Sequence, residues 1–514
     1  MSTNLRQTAS GYQLEAVLPD SFVLRWTHAA QCVGFVSLFL IFCYVPVANP
    51  ATWNQVVRGA SVMSAAERVP LSEGIRNFQF DWLSSSIISG LYQLGGAELL
   101  SIGFACLQTV ILFGWSRLFV RLSGRWWTSL AAIVLAGVCI PMLGGLTSQT
   151  FGQIALVACA SLLVAPAESE SRLVSWKQAS RSRWIAMAIL FAVWCNLDAS
   201  FIVGLIWLSL FAIVSLVQTG IQQGWATAFG CGETKRRFLL VEIAALATLV
   251  NPQGWHLWEA LLWWPDNPLF NAIGGWNPSA MASPLGIFVF ATWGIWSALK
   301  REGQWMAFWA ASMLIATIAI ACDSAFSIWF APITLLSISA VVGRTEGVAE
   351  VASNIDATEK PLRFAFTLVS ALVLWMGFSF SPMAAYVLGG KTRTAEQCLG
   401  DDIPIAFRSY LQGKKINGVL YCPDKWSDWI QTTVATPVMV GSDLTNVPES
   451  VRQDYFTIAQ GNAAWSRIAE KYAFGGIVID KTNQSSWVRQ VRRGVSPWAI
   501  AYEDTQVILL QKPQ

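Results

Sequence analysis

The sequence predicts a polytopic α-helical membrane protein of about eleven spans, followed by a small soluble α/β domain. Three observations predict it. Of 514 residues, 54% are hydrophobic and only 13% charged, with a mean hydropathy of +0.47, against about 25% charged in an ordinary soluble domain. Apolar runs recur along most of the chain, and their connections alternate in charge. After Pro382 the pattern gives way to short apolar stretches among regularly spaced charges.

A helix needs about 20 apolar residues to cross hydrocarbon. Such runs, some of them shorter, lie near 29–48, 97–116, 127–145, 150–166, 184–197, 200–219, 238–251, 285–299, 304–321, 325–343 and 364–388. The first is preceded by Arg6, Asp20 and Arg25, so residues 1–28 read as a cytoplasmic segment rather than a signal peptide. Residues 29–388 then form the bundle. Alternate loops carry Arg117, Arg121 and Arg125; Arg172, Lys177, Arg181 and Arg183; Lys235, Arg236 and Arg237; Lys300 and Arg301; and Arg344, Lys360 and Arg363. The loops near 146–149, 252–284 and 322–324 carry no Lys or Arg. Because basic loops stay on the cytoplasmic side, this asymmetry places the N-terminus inside and the C-terminus outside. The 27 Trp suit a protein with many side chains at headgroup level.

One outer loop, 49–96, departs from the rule with Arg58, Arg68 and Arg76. It is long, and long connections are more often functional. Within it Asp81-Trp82-Leu83 leads into Ile87, Ile88, Leu91 and Tyr92 at helical spacing. That predicts an interfacial helix, broken by Gly95-Gly96.

Residues 389–514 are expected to form the outer domain. Strand-like stretches at Gly418–Tyr421, Val438–Val440, Gly476–Ile479, Trp498–Tyr502 and Val507–Leu510 alternate with amphipathic stretches near 450–472 and 484–493. This predicts a small α/β layer. It contains no Gly-rich phosphate loop, and a net charge of +3 without a basic, aromatic-interleaved stripe argues against nucleic acid as a partner. Cys32, Cys43, Cys106, Cys139, Cys159 and Cys195 fall in apolar runs and read as small hydrophobes. Cys398 and Cys422 lie in the outer domain, an oxidising setting, and are candidates for a disulfide.

Two histidines, His28 and His256, give little material for a zinc site or a Ser-His-Asp triad. His256 reads as a polar group at a span end. The carboxylates Glu73, Asp81, Asp198, Asp266 and Asp323 all fall on the outer side of this topology. Ionisable groups at membrane ends are costly and often functional. Gathered together, they have the chemistry of a general base or of oxygen ligands to a divalent metal. A carboxylate before a helix is also stabilised by the helix dipole, so a structural role for Asp198 and Asp323 stays open. Arg58, Arg68 and Arg76 can each pair a phosphate bidentately or serve as surface charges.

The order of these features resembles the C-type fold of polyprenyl-phosphate-sugar-dependent membrane glycosyltransferases. More narrowly, the chain is similar to a bacterial group whose first loop runs Asp-Pro-Asp-x-Trp-Trp-His, then Gly, Pro, an Asp-x-x-Ser element and an acidic residue with Trp-Leu. The matching stretch is Asn49-Pro50-Ala51-Thr52-Trp53-Asn54-Gln55, then Gly59, Pro70, Glu73 and Asp81-Trp82-Leu83. Later elements of the group are matched by Asn196-Leu197-Asp198-Ala199-Ser200, by Asn251-Pro252-Gln253-Gly254, and by Trp426-Ser427-Asp428-Trp429 with Ser442-Asp443.

The resemblance implies a bacterial inner-membrane protein that passes a sugar from a polyprenyl-phosphate donor to an outer-face glycan, lipid or protein acceptor. Its first-loop acid is replaced by Asn49 and Ala51, and its histidine by Gln55. Neither an amide nor a methyl group accepts a proton at neutral pH. If the chain is an enzyme, its base is then Glu73, Asp81 or Asp198, the first two being preferred. Arg58, Arg76, Asn251 and Trp276 are the candidate substrate contacts, and a divalent metal is an open possibility. The alternative is an inactive membrane scaffold whose outer domain binds a glycan or protein partner. A transporter is weaker, since no paired broken segments recur in matching halves.

Overall fold

The computed structural model describes residues 26–64, 81–165, 173–262, 304–322, 326–342, 363–414, 416–444, 447–462, 464–493 and 498–512. In chain order the described helices of the bundle are α1 (Trp26–Cys43), α2 (Pro50–Ser64), α3 (Trp82–Ser123), α4 (Ala131–Leu143), α5 (Ser148–Leu163), α6 (Arg181–Leu197) and α7 (Phe201–Gln223). They continue with α8 (Trp225–Gly230), α9 (Gly232–Ala247), α10 (His256–Leu262), α11 (Gln304–Cys322), α12 (Ser327–Val342), α13 (Arg363–Phe380) and α14 (Pro382–Leu388).

Among the described residues, α1, α3 and α7 are long and apolar enough to cross a membrane, and α13 with α14 would add a fourth span bent by 76°. The eleven expected spans are therefore not all matched by helices of full length. Several expected runs are apolar helices of 10–17 residues, such as α5 and α12, and the run 285–299 lies outside the described residues. The outward faces are apolar: Ile41 on α1, Ile189 on α6 and Leu372 and Trp375 on α13 are exposed, as a lipid-facing surface requires. The inward faces favour small and polar side chains. Ser84, Ser85, Ser89, Ser101 and Ser116 of α3 are all buried, which lets neighbouring helices approach closely.

The helix expected after Asp81 forms and is interrupted where the glycines predicted. Gly95 and Gly96 leave helical geometry inside α3, and Gly96 adopts φ +62°, which an L side chain rarely takes. Two of the basic loops, around Lys177 and Arg237, meet at one end of the bundle. Glu233, in the first turn of α9, accepts backbone N–H groups of Trp176 and Lys177, both at 2.9 Å, and pairs with Arg237 at 3.1 Å. The whole lengths of α5 and α6 separate this end from Ser148 and Asp198, which sit at the other.

The C-terminal part contains α15 (Ala395–Leu399), α16 (Ile405–Leu411), β1 (Val419–Tyr421), α17 (Asp424–Val434), α18 (Glu449–Ala459), α19 (Trp465–Lys471), β2 (Phe474–Asp480), α20 (Ser485–Arg492), β3 (Ala499–Glu503) and β4 (Val507–Gln511). The sheet order is β1-β2-β4-β3, with β1 parallel to β2 and the other pairs antiparallel. The stretch expected as a strand at Val438–Val440 makes one parallel bridge, Val438 to Leu420, and goes no further. The two hydrophobic faces of the layer have separate fates. Tyr421, Ile477, Ile479 and Leu510 pack under α18 to α20, whereas Trp426, Trp429, Val478 and Leu509 join the core that runs through Trp53 into the bundle.

The expected Cys398–Cys422 bridge is not formed. Both are free and buried, Cys398 on α15 and Cys422 just beyond β1. Burial raises both thiol pKa values, which keeps them protonated and unreactive.

Helix α2 is wedged between α3 and α17, and Gly59 makes the wedge possible. A Cβ there would lie 2.0 Å from the Ser85 carbonyl oxygen. Gly59→Ala is expected to push α2 off α3 and lower stability by about 1–3 kcal/mol. Gly34→Ala, where nothing lies within 4 Å, is the control. Thermal unfolding of the detergent-solubilised variants checks both.

Candidate active site

Three of the sequence elements singled out above meet at the end of the bundle away from the basic loops. The first is α2. Asn49 accepts the Ala51 N–H at 2.9 Å through its side chain and so caps the helix, the role its amide plays in place of an acid. Ala51 itself is exposed. One turn on, Gln55 is buried, and its two ends bind different helices. Its oxygen accepts the Ser148 N–H of α5 at 2.9 Å, and its amide nitrogen faces the Asp81 carboxylate at 3.4 Å.

Asp81 stands at the N-cap position of α3 without using its side chain as a cap. The carboxylate instead pairs with Arg58 at 3.5 Å and is 13% exposed. Arg58 also lies 3.8 Å from Asp443 of the C-terminal part. Burial alone would lower its pKa, but the carboxylates of Asp81, Asp443 and Asp428 outweigh burial and hold it above the ordinary range. The guanidinium is therefore permanently charged.

The second element is the turn between α6 and α7. Asn196 accepts the Trp82 indole N–H at 2.7 Å and donates to Val250 O at 2.8 Å, while Ser84 donates to Leu197 O at 2.6 Å. These bonds lock the turn against the start of α3. They place Asp198 in a closed position where it accepts the Ser200 N–H at 3.0 Å and the hydroxyls of Ser200 and Ser148. Gly152 of α5 packs against it so closely that a Cβ would stand 2.7 Å from Oδ2. Burial pushes the Asp198 carboxyl up to about 6, its serine bonds pull it back, and the Asp81 charge adds to the rise.

The third element is α17 with the loop after it. Asp428, buried, accepts the Ser442 N–H at 2.8 Å, the Ser442 hydroxyl, and the Asn54 amide at 3.2 Å. Burial raises its pKa as well, against those bonds. The Ser442 hydroxyl also reaches Pro50 O at 3.3 Å. Asp428 and Asp443 belong to the site although the sequence argument had not placed them there. Their signal was the Ser-Asp pair recurring in each of two matched elements.

Other candidates fall elsewhere. Asn251 uses its amide on its own turn, donating to Thr248 O at 2.6 Å and accepting the Gln253 N–H at 2.8 Å. His256 is exposed and pairs with Glu259 at 2.7 Å, consistent with an interfacial role. Glu73, Arg68, Arg76, Asp266, Trp276 and Asp323 lie outside the described residues. Among the described residues no three side chains of metal-ligating type come together. The described donor set does not fit a divalent ion.

With this architecture in hand, solved structures of similar fold can be compared. The apo oligosaccharyltransferase of Archaeoglobus fulgidus aligns over 89% of this chain and 71% of its own, with TM-score 0.51 and 11% identity. The same enzyme tethered to an acceptor peptide containing the NVT sequon aligns over 95% and 74%, with TM-score 0.51 and 11% identity. ArnT from Cupriavidus metallidurans bound to undecaprenyl phosphate aligns over 95% and 100%, with TM-score 0.48 and 13% identity. No protein-family model and no curated protein matches by sequence. The chain shares the fold of the archaeal oligosaccharyltransferase.

The raised Asp198 pKa makes a stability prediction. A carboxyl whose folded pKa lies above its unfolded value favours the protonated native state, so its contribution is lost as pH rises from about 4 towards and past 6. Asp198→Asn removes that dependence. Relative to wild type, its stability is expected to gain about 1 kcal/mol between pH 5 and pH 7.5, measured as the difference in unfolding midpoints at the two pH values. An unchanged difference would place the Asp198 pKa near its ordinary value.

Proposed function

We propose that the chain is a bacterial inner-membrane glycosyltransferase. It moves a sugar from a polyprenyl-phosphate donor to an outer-face glycan, lipid or protein acceptor, with its N-terminus cytoplasmic and residues 389–514 outside. The observation that carries this reading is the Asp81–Arg58 pair at 3.5 Å in the first loop, with Asp198 near enough for the Asp81 charge to act on its carboxyl.

Such a transfer needs a base for the acceptor hydroxyl and a cation for the departing phosphate. The acceptor oxygen attacks the anomeric carbon as its proton passes to a carboxylate. The bond from the anomeric carbon to the phosphate oxygen breaks, and the polyprenyl phosphate leaves with the electron pair and the negative charge. Asp198, raised to about 6, is matched to proton abstraction near neutral pH, where the ideal base has a pKa close to the operating pH. Asp81, tied to Arg58 at 3.5 Å, serves better to orient the guanidinium. Arg58, 22% exposed, is placed to exchange Asp443 for the leaving phosphate, which it can hold through two parallel bonds. Glu73 remains a second base candidate from the first loop.

A specific observation favours the inactive scaffold instead. Asn49 serves as a helix cap, and the Arg58 charge is already matched by Asp81 at the start of α3 and by Asp443, which ties α2 to the C-terminal part. One experiment separates the two readings: donor hydrolysis and transfer by the purified protein across a panel of polyprenyl-phosphate sugars. On the enzyme reading Asp198→Asn lowers kcat by about 10²–10⁴-fold. Asp81→Asn and Glu73→Gln are assayed beside it, and wild-type kcat/KM rises with pH through about 6. Equal activity in all three variants would remove these residues from the mechanism. No activity on any donor would leave the scaffold.

A further inference from the structure

Helices α1, α3 and α13 enclose an open groove of about 630 Å³ on the apolar outer surface of the bundle, where Phe113 and Leu374 are exposed. Its direction follows from contacts along the helices. Gly103 of α3 faces Leu146 and Gly114 faces Val157 of α5, so α3 runs alongside α5 from the carboxylate site to the end where the loops around Lys177 and Arg237 meet. The start of α1 reaches that same end, because the Trp26 ring packs edge-on at 4.8 Å against Trp126, just beyond α3. Helix α13 runs parallel to α1, with the Cys32 thiol on Ser370 O at 3.7 Å and the Tyr44 hydroxyl on Phe380 O at 2.8 Å. The groove therefore extends from His28 and Arg117 at the basic end towards Phe39 and Met383.

Its middle and its basic end differ in chemistry. Along the middle, Phe35 and Phe113 meet edge-on at 5.5 Å, and the few hydroxyls are spent within the protein. Thr109 donates to Ala105 O at 2.7 Å and Ser370 to Phe366 O at 2.9 Å. That stretch suits a hydrocarbon chain. At the basic end Arg117 is exposed and makes no hydrogen bond or ion pair among the described residues. Trp26 and Trp126 are 39% and 40% exposed at this end, as indole rings at headgroup level are. The length fits as well: from residue 28 to residue 39, α1 rises about 16 Å at ~1.5 Å per residue, close to the ~15 Å depth of one leaflet of a ~30 Å hydrocarbon core.

We propose that this groove binds an anionic phospholipid of the leaflet on the basic side, with its phosphate on Arg117 and one acyl chain along α1 and α13. The guanidinium can hold a phosphate through two parallel bonds, and the chain covers the apolar stretch below it. An unpaired cation at one end of an otherwise apolar groove matches an amphiphile with an anionic head, and neither a free anion nor a neutral hydrocarbon. The groove lies away from the carboxylate site and shares no residue with it, so the proposal stands independently of the transferase reading.

The test uses the full-length protein in mild detergent, with the first lipid adduct followed by native mass spectrometry. Dioleoyl phosphatidylglycerol is titrated against dioleoyl phosphatidylcholine, and undecaprenyl phosphate is then offered in competition. One phosphatidylglycerol is expected to bind, more tightly than phosphatidylcholine. Arg117→Gln is expected to weaken phosphatidylglycerol about fivefold, the equivalent of roughly 1 kcal/mol for one basic residue near an anionic headgroup, and to leave phosphatidylcholine unchanged. Leu374→Trp, an exposed position where a larger ring fills the groove, is expected to weaken both lipids; Leu372→Trp, similarly exposed but off the groove, weakens neither. Because the two variants act on different parts of the groove, either one carries the test if the other fails to fold. No preference for phosphatidylglycerol, an undiminished adduct in Arg117→Gln or Leu374→Trp, or preferential retention of undecaprenyl phosphate would overturn the proposal.

Discussion

The arrangement depends on one short helix being gripped from two sides. Helix α2 touches α3 backbone to backbone at Gly59, and it is bound to the C-terminal part through Asn54–Asp428 and Arg58–Asp443. Because successive residues of a helix point about 100° apart, adjacent positions serve different partners. Trp53 joins the shared core and rests edge-on against Tyr92 at 5.5 Å, Asn54 reaches α17, and Gln55 reaches α3 and α5. The two ends of one side chain, Gln55, thus link Asp81 to the start of α5. Every group of the candidate site is positioned, directly or at one remove, by this helix.

The neighbouring residues Asp428 and Trp429 repeat the logic on the other partner. Asp428 faces α2 through Asn54, whereas Trp429 packs into the shared core.

Much of the fold was legible because its signals are local. The glycine pair breaks α3, and the strands at β1, β2, β3 and β4 fall where apolar stretches alternate with charge. Of the basic loops, those around Lys177 and Arg237 meet at one end. Span number was less legible, because several apolar runs form helices shorter than a bilayer demands and hydropathy alone does not fix their ends. Compartment made Cys398 and Cys422 candidates for a bridge but does not set whether two residues meet, and both are free. For the site, Asp81 and Asp198 were visible as ionisable groups at span ends. Asp428 and Asp443 were not, because they lie more than 200 residues further along the sequence, and only the packing of α17 on α2 brings them in.

The missing first-loop acid bears on activity less than it did from sequence alone. The position of a base is set by where its proton-accepting atom lies, and side chains from different helices can reach the same point. Here Asn49 serves as a helix cap and Gln55 as a brace between α2 and α5. Meanwhile Asp198 is buried at a cost to stability that its serine bonds only partly offset. A scaffold gains nothing from keeping a destabilised carboxylate in a closed position where an asparagine would fit. That retained cost, set beside the loss of the expected acid, favours the proposed reading in which Asp198, in the turn after α6, is the base.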